Sequence, residues 1–324
     1  MEDRSRKISE LISLLERHAV REGLNSTSID NLFLGRATQP DPLQPQIYPP
    51  SIVIGAQGRK VVYLEGKRYE YGAGKMMALF VPMVVACEGV EASPEKPMLT
   101  AIITIDLNRI TEMILNMERL APSPIKPDTD DASAIFSAPI KDNLLDAVIR
   151  LLRTLDNPGE AAILGQSIID EIYFRILSEE QGGRFRYLLQ QRGQIQQIAR
   201  AVEYIHQNLD KPVSVDELAD IVNMSSSGFY KKFKQVMYVS PLQYAKAVKL
   251  NRAQAYIMDG KSVTEASSMV GYNNLAQFSR EYKRYFGILP SATRMQYEAN
   301  RKPSIPTASL RRLRRQSSIV NRKS

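Results

Sequence analysis

The feature that most constrains this chain is an internal repeat in its C-terminal half. One copy, SVDELADIVNMSSSGFYKKFKQVMYVSP, begins at Ser214, and a second, SVTEASSMVGYNNLAQFSREYKRYFGILP, begins at Ser262. The offset between matching residues is 48 at the start and 49 at the end, where Phe229 matches Phe278. A repeat of this period predicts one supersecondary unit used twice, with one residue added to the turn of the second copy.

Each copy predicts a short helix followed by a tight turn. Ser214 and Ser262 each precede a Glu by three residues, which is the spacing of a capping box. The helix is expected to end at Asn223 or Gly271, because these residue types tolerate the left-handed conformation.

A second helix follows each turn, with Ser225 or Asn273 suited to cap it. Its exposed side mixes cations, amides and hydroxyls, the chemistry that reads base edges in the major groove of DNA. The outward residues, and hence the candidate DNA-binding residues, are Ser226, Ser227, Tyr230, Lys231, Lys234, Asn274, Leu275, Gln277 and Arg280.

Aromatic residues spaced four apart mark the opposite side of these helices. They are Phe229 with Phe233 and Phe278 with Tyr282, and we expect them to face inward. These aromatic residues would equally form the core of a plain helical bundle, which is the alternative interpretation. The two capped copies with cationic outer faces favour the helix-turn-helix interpretation.

Between the copies, Ser240 and Pro241 predict the start of a helix that runs to Gly260. Its residues 241–259 would span about 28 Å at ~1.5 Å per residue. A rod of that length can hold two recognition helices about one DNA turn, ~34 Å, apart.

The N-terminal part predicts a different architecture, an antiparallel β-barrel or sandwich. Glu65, Gly66 and Lys67 are expected to form a hairpin tip, and further glycines to mark bends. The expected strands are QIYPPSIVI, RKVVYLEGKRYEY, KMMALFVPMVVA and MLTAIITI, all within residues 46–105.

Helical periodicity begins at Asp106, and the Pro-, Asp- and Ser-rich residues 121–139 are expected to form a loop. Two amphipathic helices are predicted at about 142–155 and 160–178. They could cover the barrel or pair between subunits. The fold class is therefore α+β, with an all-α C-terminal domain.

Charge is divided unevenly along the chain. Residues 201–324 hold 20 Lys and Arg against 9 Asp and Glu, or +11, so the remaining residues carry −3 of the total of +8. This predicts a polyanion-facing surface in the C-terminal part, although a solvated basic face would give the same balance. Residues 301–324 hold eight of the cations and no acidic residue, and we expect a disordered tail.

The sequence gives little support to membrane, secreted, disulfide-bonded or metal-dependent catalytic classes of protein. The longest uncharged apolar run, Met76 to Cys87, is shorter than the ~20 residues that span a bilayer, and the charged start of the chain does not resemble a secretory signal. A single cysteine cannot form an internal disulfide, which favours a cytoplasmic location, and Cys87 is expected to be an inert buried thiol. Neither His18 nor His206 lies in the predicted barrel, so a metal site and a catalytic barrel are disfavoured.

The repeats resemble the AraC/XylS family of transcription regulators. The resemblance rests on DELADIVNMSSSGFYKKFK, SPLQYAKAVKLNRAQAYI and, most specifically, VGYNNLAQFSREYKRYFGILP, and it covers about 195–300. Residues from about 10 to 180 resemble the N-terminal domain of one branch of this family through ERHAVREGLN, YPPSIVIGAQGRKVVYLEGKRYEYGAGK and VEASPEKPML.

The resemblance implies a cupin-like barrel domain with helical cover at 1–190, which senses an effector, dimerises or both. It further implies a tandem helix-turn-helix domain at 191–300, followed by the tail at 301–324. Two positions depart from the family pattern. Tyr238 stands where Gly is usual, and Lys249 stands for the usual Arg of an Arg-Leu pair. The residues implied to face bases are Ser227, Tyr230, Lys231, Asn274, Leu275, Gln277 and Arg280.

The favoured function is a sequence-specific, nucleoid-associated transcription regulator without a cofactor. The implied partners are double-stranded promoter DNA, RNA polymerase, a small-molecule or protein effector at the N-terminal domain, and a second copy of the chain. An activator is expected, although the residues themselves leave the sign of regulation open. Two alternatives remain, namely a cupin-type enzyme fused to a DNA-binding module and a non-specific nucleic-acid protein driven by the basic tail.

Overall fold

A computed structural model describes residues 2–64, 66–120, 135–179, 182 and 194–295. The predicted basic tail at 301–324 and the predicted domain boundary at 190 lie outside these residues. The strands of the N-terminal part are β1 (Gly23–Ser26), β2 (Leu32–Ala37), β3 (Gln44–Tyr48), β4 (Ser51–Gln57), β5 (Arg59–Leu64), β6 (Lys67–Gly72), β7 (Lys75–Leu79), β8 (Met83–Glu91), β9 (Met98–Thr104) and β10 (Ile135–Pro139).

These strands form one curved antiparallel sheet in the order β1-β2-β9-β4-β7-β6-β5-β8-β3, with β10 beside β7. The predicted hairpin tip is confirmed, because Leu64 pairs with Lys67 across Gly66, which has a φ of 77°. The α+β fold class is confirmed as well, with an antiparallel half-barrel followed by helices. A cupin topology remains a prediction.

One predicted loop is partly wrong. Within the loop expected at 121–139, residues Ile135–Pro139 form β10, in register with β7 from Ile135 opposite Leu79. Ile135 and Phe136 are buried, so this short strand is held by packing on the sheet. Residues 121–134 lie outside the described part of the chain.

Helices cover one face of the sheet. The alternation along β9 shows which face, since Leu99, Ala101 and Ile103 join the buried cluster formed with these helices, whereas Thr100 and Ile102 point the other way into a cavity. The helices are α1 (Glu2–His18), α2 (Leu107–Leu120), α3 (Asp142–Arg153) and α4 (Pro158–Ser178), with a 3₁₀ turn at Thr154–Asp156 between the last two.

The predicted helices at 142–155 and 160–178 are thus confirmed, and their buried residues share one apolar cluster with the sheet. They leave Ile163 and Phe174 of α4 exposed. No helix in the described part of the chain is long and apolar enough to cross a membrane.

The C-terminal part is helical. Its elements are α5 (Gln194–Gln207), α6 (Val215–Ile221), α7 (Ser226–Met237), α8 (Pro241–Met258), α9 (Val263–Met269) and α10 (Leu275–Phe286), followed by a 3₁₀ turn at Pro290–Ala292. The edge strand β3 contacts both α8 and α10. The linker helix predicted from Pro241 is α8, and it begins with a full capping box between Ser240 and Gln243.

Candidate DNA-binding surface

The first helix-turn-helix unit consists of α6 and α7. The Ser214 hydroxyl accepts a hydrogen bond from the Glu217 backbone N–H at 3.1 Å, so the predicted cap forms. The reciprocal half of the predicted capping box is wrong, because the Glu217 carboxylate accepts a hydrogen bond from the Tyr204 hydroxyl of α5. Asn223 takes a φ of 55°, as predicted, and Ser225 caps α7.

The second unit consists of α9 and α10, and here the capping box between Ser262 and Glu265 is complete. Gly271 takes a φ of 77°, again as predicted. The turn spans residues 270–274, one more than the 222–225 turn of the first unit. The cap predicted at Asn273 is wrong by one residue, since the Asn274 side chain accepts the bond from the Gln277 N–H at 2.9 Å.

Each second helix is fixed by a buried aromatic pair. The ring centroids of Phe229 and Phe233 are 5.5 Å apart, and so are those of Phe278 and Tyr282. All four side chains are fully buried, which confirms the predicted helix phase. Burial raises the pKa of Tyr282 to about 12, so its hydroxyl stays neutral while it bonds the Thr293 hydroxyl at 2.7 Å.

The opposite face of each second helix is open to solvent. Tyr230 is 44% exposed on α7 and Leu275 is 43% exposed on α10. Within the described part of the chain, the cations of this face have no ion-pair partner. The other predicted residues on these two exposed faces are Ser227, Lys231, Lys234, Gln277 and Arg280.

Two of the nine candidate residues are held by local bonds. Ser226 is half-buried and donates to the Asp216 carboxylate, which ties the start of α7 to α6. Asn274 is exposed, but its side-chain oxygen is occupied by the cap described above. The Gln277 side chain donates a long hydrogen bond of 3.4 Å to Glu281.

Glu281 connects α10 to the preceding turn and to α8. It accepts hydrogen bonds from Tyr272 at 2.8 Å and Gln277, and it pairs with Lys246 of α8 at 3.2 Å. Burial alone would raise the pKa of Glu281, but these partners hold it below its usual value. The carboxylate is therefore charged at neutral pH and links α10 to the linker helix.

Sequence reasoning missed two further cations of this surface. Lys283 and Arg284 are exposed in the last turn of α10. Lys283 matches Lys234 at the repeat offset of 49, so the repeat itself carried the signal. Arg284 has a glutamine, Gln235, as its counterpart and gave no such signal.

The two departures from the family pattern have local explanations. Tyr238 takes a φ of 60° and ends α7 in the left-handed conformation, just as Gly287, with a φ of 77°, ends α10. The turn is therefore kept at the cost of backbone strain. Lys249 donates to the Lys211 backbone carbonyl at 2.8 Å, so a single donor suffices at this place.

The linker helix α8 sets the separation of the two units. Its 18 residues span about 27 Å at ~1.5 Å per residue. Val248 on α8 belongs to the core of the first unit, and Leu250 belongs to that of the second. The rod therefore connects the two units through its buried side chains.

Among the described residues, no group of three or more His, Cys, Asp or Glu side chains is placed to hold a metal ion. Cys87 is buried in the sheet, and this burial raises the pKa of its thiol. His18 lies beside Asp156 at 3.1 Å, and His206 contacts the Tyr244 hydroxyl at 2.9 Å. Each histidine thus lies against a side chain of a neighbouring helical element.

Comparison with known families agrees with both halves of this architecture. Residues 28–184 match the model of the AraC-type transcriptional regulator N-terminus, and residues 218–296 match a helix-turn-helix domain. The chain belongs to the AraC family of transcriptional regulators.

Individual relatives match only part of the chain, at 27–31% identity. The lactose operon transcription activator of Staphylococcus xylosus is 31% identical over 106 residues, which are 32% of this chain and 38% of that protein. The regulator GbdR of Pseudomonas aeruginosa is 27% identical over 204 residues, 62% of this chain and 47% of that protein. The chain thus matches less than half the length of each of these relatives.

Among solved structures, apo ToxT from Vibrio cholerae superposes with a TM-score of 0.53 at 9% identity, covering 85% of this chain and 99% of that one. This similarity shows the fold alone.

Proposed function

We propose that this chain is a sequence-specific transcription regulator that binds double-stranded promoter DNA through α7 and α10. The observation that carries the proposal is the pair of matched helix-turn-helix units, each with one fully buried aromatic face and one exposed cationic face. A helix of this kind enters the major groove, which is wide enough to admit it.

The exposed side chains divide by chemistry. Arg280 carries a planar forked donor suited to the two acceptors of a guanine edge, while Tyr230, Lys231 and Gln277 offer single donors or amides. Ser226 and Asn274 position the starts of the two helices through the bonds described above. Lys234 and Lys283 lie later in their helices and are assigned to phosphates, together with Arg284.

Support for effector sensing and dimerisation comes from the N-terminal match and from the structure of that part. The sheet encloses a cavity, and the exposed Ile163 and Phe174 of α4 offer an apolar surface for a second copy. In this proposal the N-terminal part senses a ligand and pairs subunits. RNA polymerase is the expected partner on DNA, where the chain acts as an activator inside the cell.

A map of bound sites across the genome of the source organism tests this function. The expected result is a set of discrete sites upstream of genes, with one shared motif, and altered transcripts of those genes when the protein is removed. Uniform coverage without a motif would instead support the non-specific nucleic-acid alternative. Catalysis by the purified protein that depends on added metal would support the enzyme alternative.

A further inference from the structure

A cavity of about 580 Å³ lies on the face of the sheet opposite helices α1 to α4. Its wall is mainly apolar, with Phe33, Val53 and Ile102 contributed by strands β2, β4 and β9. Tyr48 and Tyr71 complete it, and their hydroxyls lie 3.4 Å apart. Burial raises the pKa of Tyr71, so this hydroxyl is neutral at physiological pH. The volume suits a small organic molecule.

Three charged side chains line the same cavity, namely Arg36, Asp41 and Lys60, and the last two form a pair of opposite charges. The Lys60 side chain on β5 is only 14% exposed, whereas that of Asp41 is 47% exposed. Their positions are fixed by the backbone, because Lys60 is paired with Gly89 in the sheet and the Gly89 N–H donates to the Asp41 carbonyl at 3.0 Å. A buried ammonium therefore lies inside, with a carboxylate near the opening.

These two groups do not satisfy each other. The distance from Lys60 Nζ to the nearest Asp41 oxygen is 3.8 Å, which is beyond the ~3.2 Å limit of a good hydrogen bond. Neither side chain makes a hydrogen bond to another group in the described part of the chain. The ammonium has three donors and the carboxylate about four acceptor sites to offer a ligand.

The arrangement selects for a ligand that carries both charges. A simple carboxylate would pair with Lys60 but would be repelled by Asp41, and a simple amine would meet the reverse. A zwitterion satisfies both Lys60 and Asp41, the half-buried Arg36 adds positive charge that favours its carboxylate, and its apolar body contacts the aromatic wall.

We propose that this cavity binds an α-amino acid with an apolar side chain, with Lys60 holding its carboxylate and Asp41 its ammonium group. This inference deepens the sensing role proposed above and names the chemical class of the effector. Strand β3 lies at the edge of the cavity and also contacts the helical part. Tyr48 of β3 lines the cavity, and its neighbour Ile47 lines a groove shared with Val248 and Asn251 of α8.

The test is calorimetric titration of the full-length protein, without DNA, with three probes of one shape. L-phenylalanine carries both charges, 3-phenylpropanoate only the negative one and phenethylamine only the positive one. We expect L-phenylalanine to bind at least about tenfold more tightly than either of the others, because each lost charge-assisted hydrogen bond is worth about that factor. Binding of 3-phenylpropanoate as tight as that of L-phenylalanine would overturn the zwitterion assignment.

Two variants assign the roles. Lys60→Met should weaken L-phenylalanine about tenfold and leave phenethylamine unchanged or tighter, whereas Asp41→Asn should weaken L-phenylalanine and tighten 3-phenylpropanoate. The matched control is Lys67→Met, an exposed lysine of β6 outside the cavity, which should bind all three probes as the parent protein does.

Equal loss of all probes in the Asp41→Asn variant, with an unchanged melting temperature, would contradict the assignment even if Lys60→Met fails to fold. Because no DNA is present, a failed titration leaves the DNA-binding proposal standing, and a failure to bind DNA leaves the titration valid.

Discussion

The two helix-turn-helix units share a pattern but are stabilised differently. The buried residues of the first unit belong to one apolar cluster with α5 and the sheet, and Phe233 packs on Tyr244 with ring centroids 5.8 Å apart. The second unit has a cluster of its own, built from seven buried residues that include Phe278 and Tyr282. The first unit is thus part of a larger core, and the second depends on a small one.

The local geometry of the helix ends, in contrast, is more favourable in the second unit than in the first. The second unit has the full capping box at Ser262 and a glycine, Gly287, at its left-handed helix end. The first has half of a box at Ser214 and a strained tyrosine, Tyr238, at the equivalent place. Favourable local geometry thus accompanies the small core of the second unit, and the large shared core of the first unit accompanies unfavourable local geometry.

The largest expected difference concerns the cores. Phe278→Ala should cost about 3–5 kcal/mol, as for other buried aromatics, and should unfold the second unit alone because its core is separate. Phe233→Ala should cost a similar amount but also reduce amide protection in α5 and the sheet. Hydrogen exchange resolves the two patterns, with the exposed Leu275→Ala as control. Equal loss of protection in both units for either variant would show that the cores are not separate.

Next in size is the loss of DNA contacts. Arg280→Ala and Lys231→Ala should each cost about 1–3 kcal/mol of specific binding, with the larger value for Arg280 because of its forked donor. Melting temperatures should stay unchanged, since both side chains are exposed. Anisotropy titrations on cognate and random duplexes provide the measurement. The control is Lys232→Ala, whose half-buried side chain lies on the same helix and bonds Gln235. Equal losses on both duplexes would mean phosphate contacts only.

The left-handed helix ends give a smaller effect on stability. Removing the glycine at 287 should destabilise the protein, whereas glycine at 238 should be more stable than alanine there. A Cβ added at Gly287 meets no atom within 4 Å, so Gly287→Ala reports backbone strain alone and should cost about 1 kcal/mol. At position 238, Tyr238→Gly should be more stable than Tyr238→Ala by about the same amount. Chemical denaturation of the four proteins measures this. If alanine is the more stable residue at 238, the left-handed end of α7 is not strained.

The smallest expected effect concerns the caps. Glu265→Ala should cost about 0.5–1 kcal/mol and increase amide exchange at the start of α9, because the Ser262 N–H loses its partner. Glu217→Ala should leave the start of α6 protected, since the Ser214 hydroxyl still accepts the backbone N–H of residue 217. Equal exchange at both helix starts would remove the distinction between the two caps.

The repeat made much of the C-terminal part predictable. Helix phase, left-handed ends and the longer second turn follow from local residue types, and the structure confirms them. The errors arose where two local choices compete. Asn273 and Asn274 are equally good caps by type, and in the structure Asn274 accepts the Gln277 N–H. The Glu217 carboxylate accepts a hydrogen bond from Tyr204 on α5 and does not complete the capping box. Spacing within the repeat cannot predict a partner on another helix.

The N-terminal part was less predictable because its contacts are distant in sequence. β10 is a five-residue strand that follows a Pro- and Asp-rich stretch, and only its pairing with β7 defines it. Lys60 and Asp41 likewise meet only through the sheet register at Gly89. No sequence motif connects them, so the candidate ligand site required the structure.

The most direct test of the central claim is selection of DNA by the purified full-length protein from a random-sequence duplex library. We predict an enriched site with two conserved segments about one helical turn, roughly 10 base pairs, apart, because two recognition helices joined by α8 read successive major grooves. The Arg280→Ala protein should lose preference in one segment and the Lys231→Ala protein in the other. Selection that enriches no motif, or a single segment altered equally by both variants, would contradict the account.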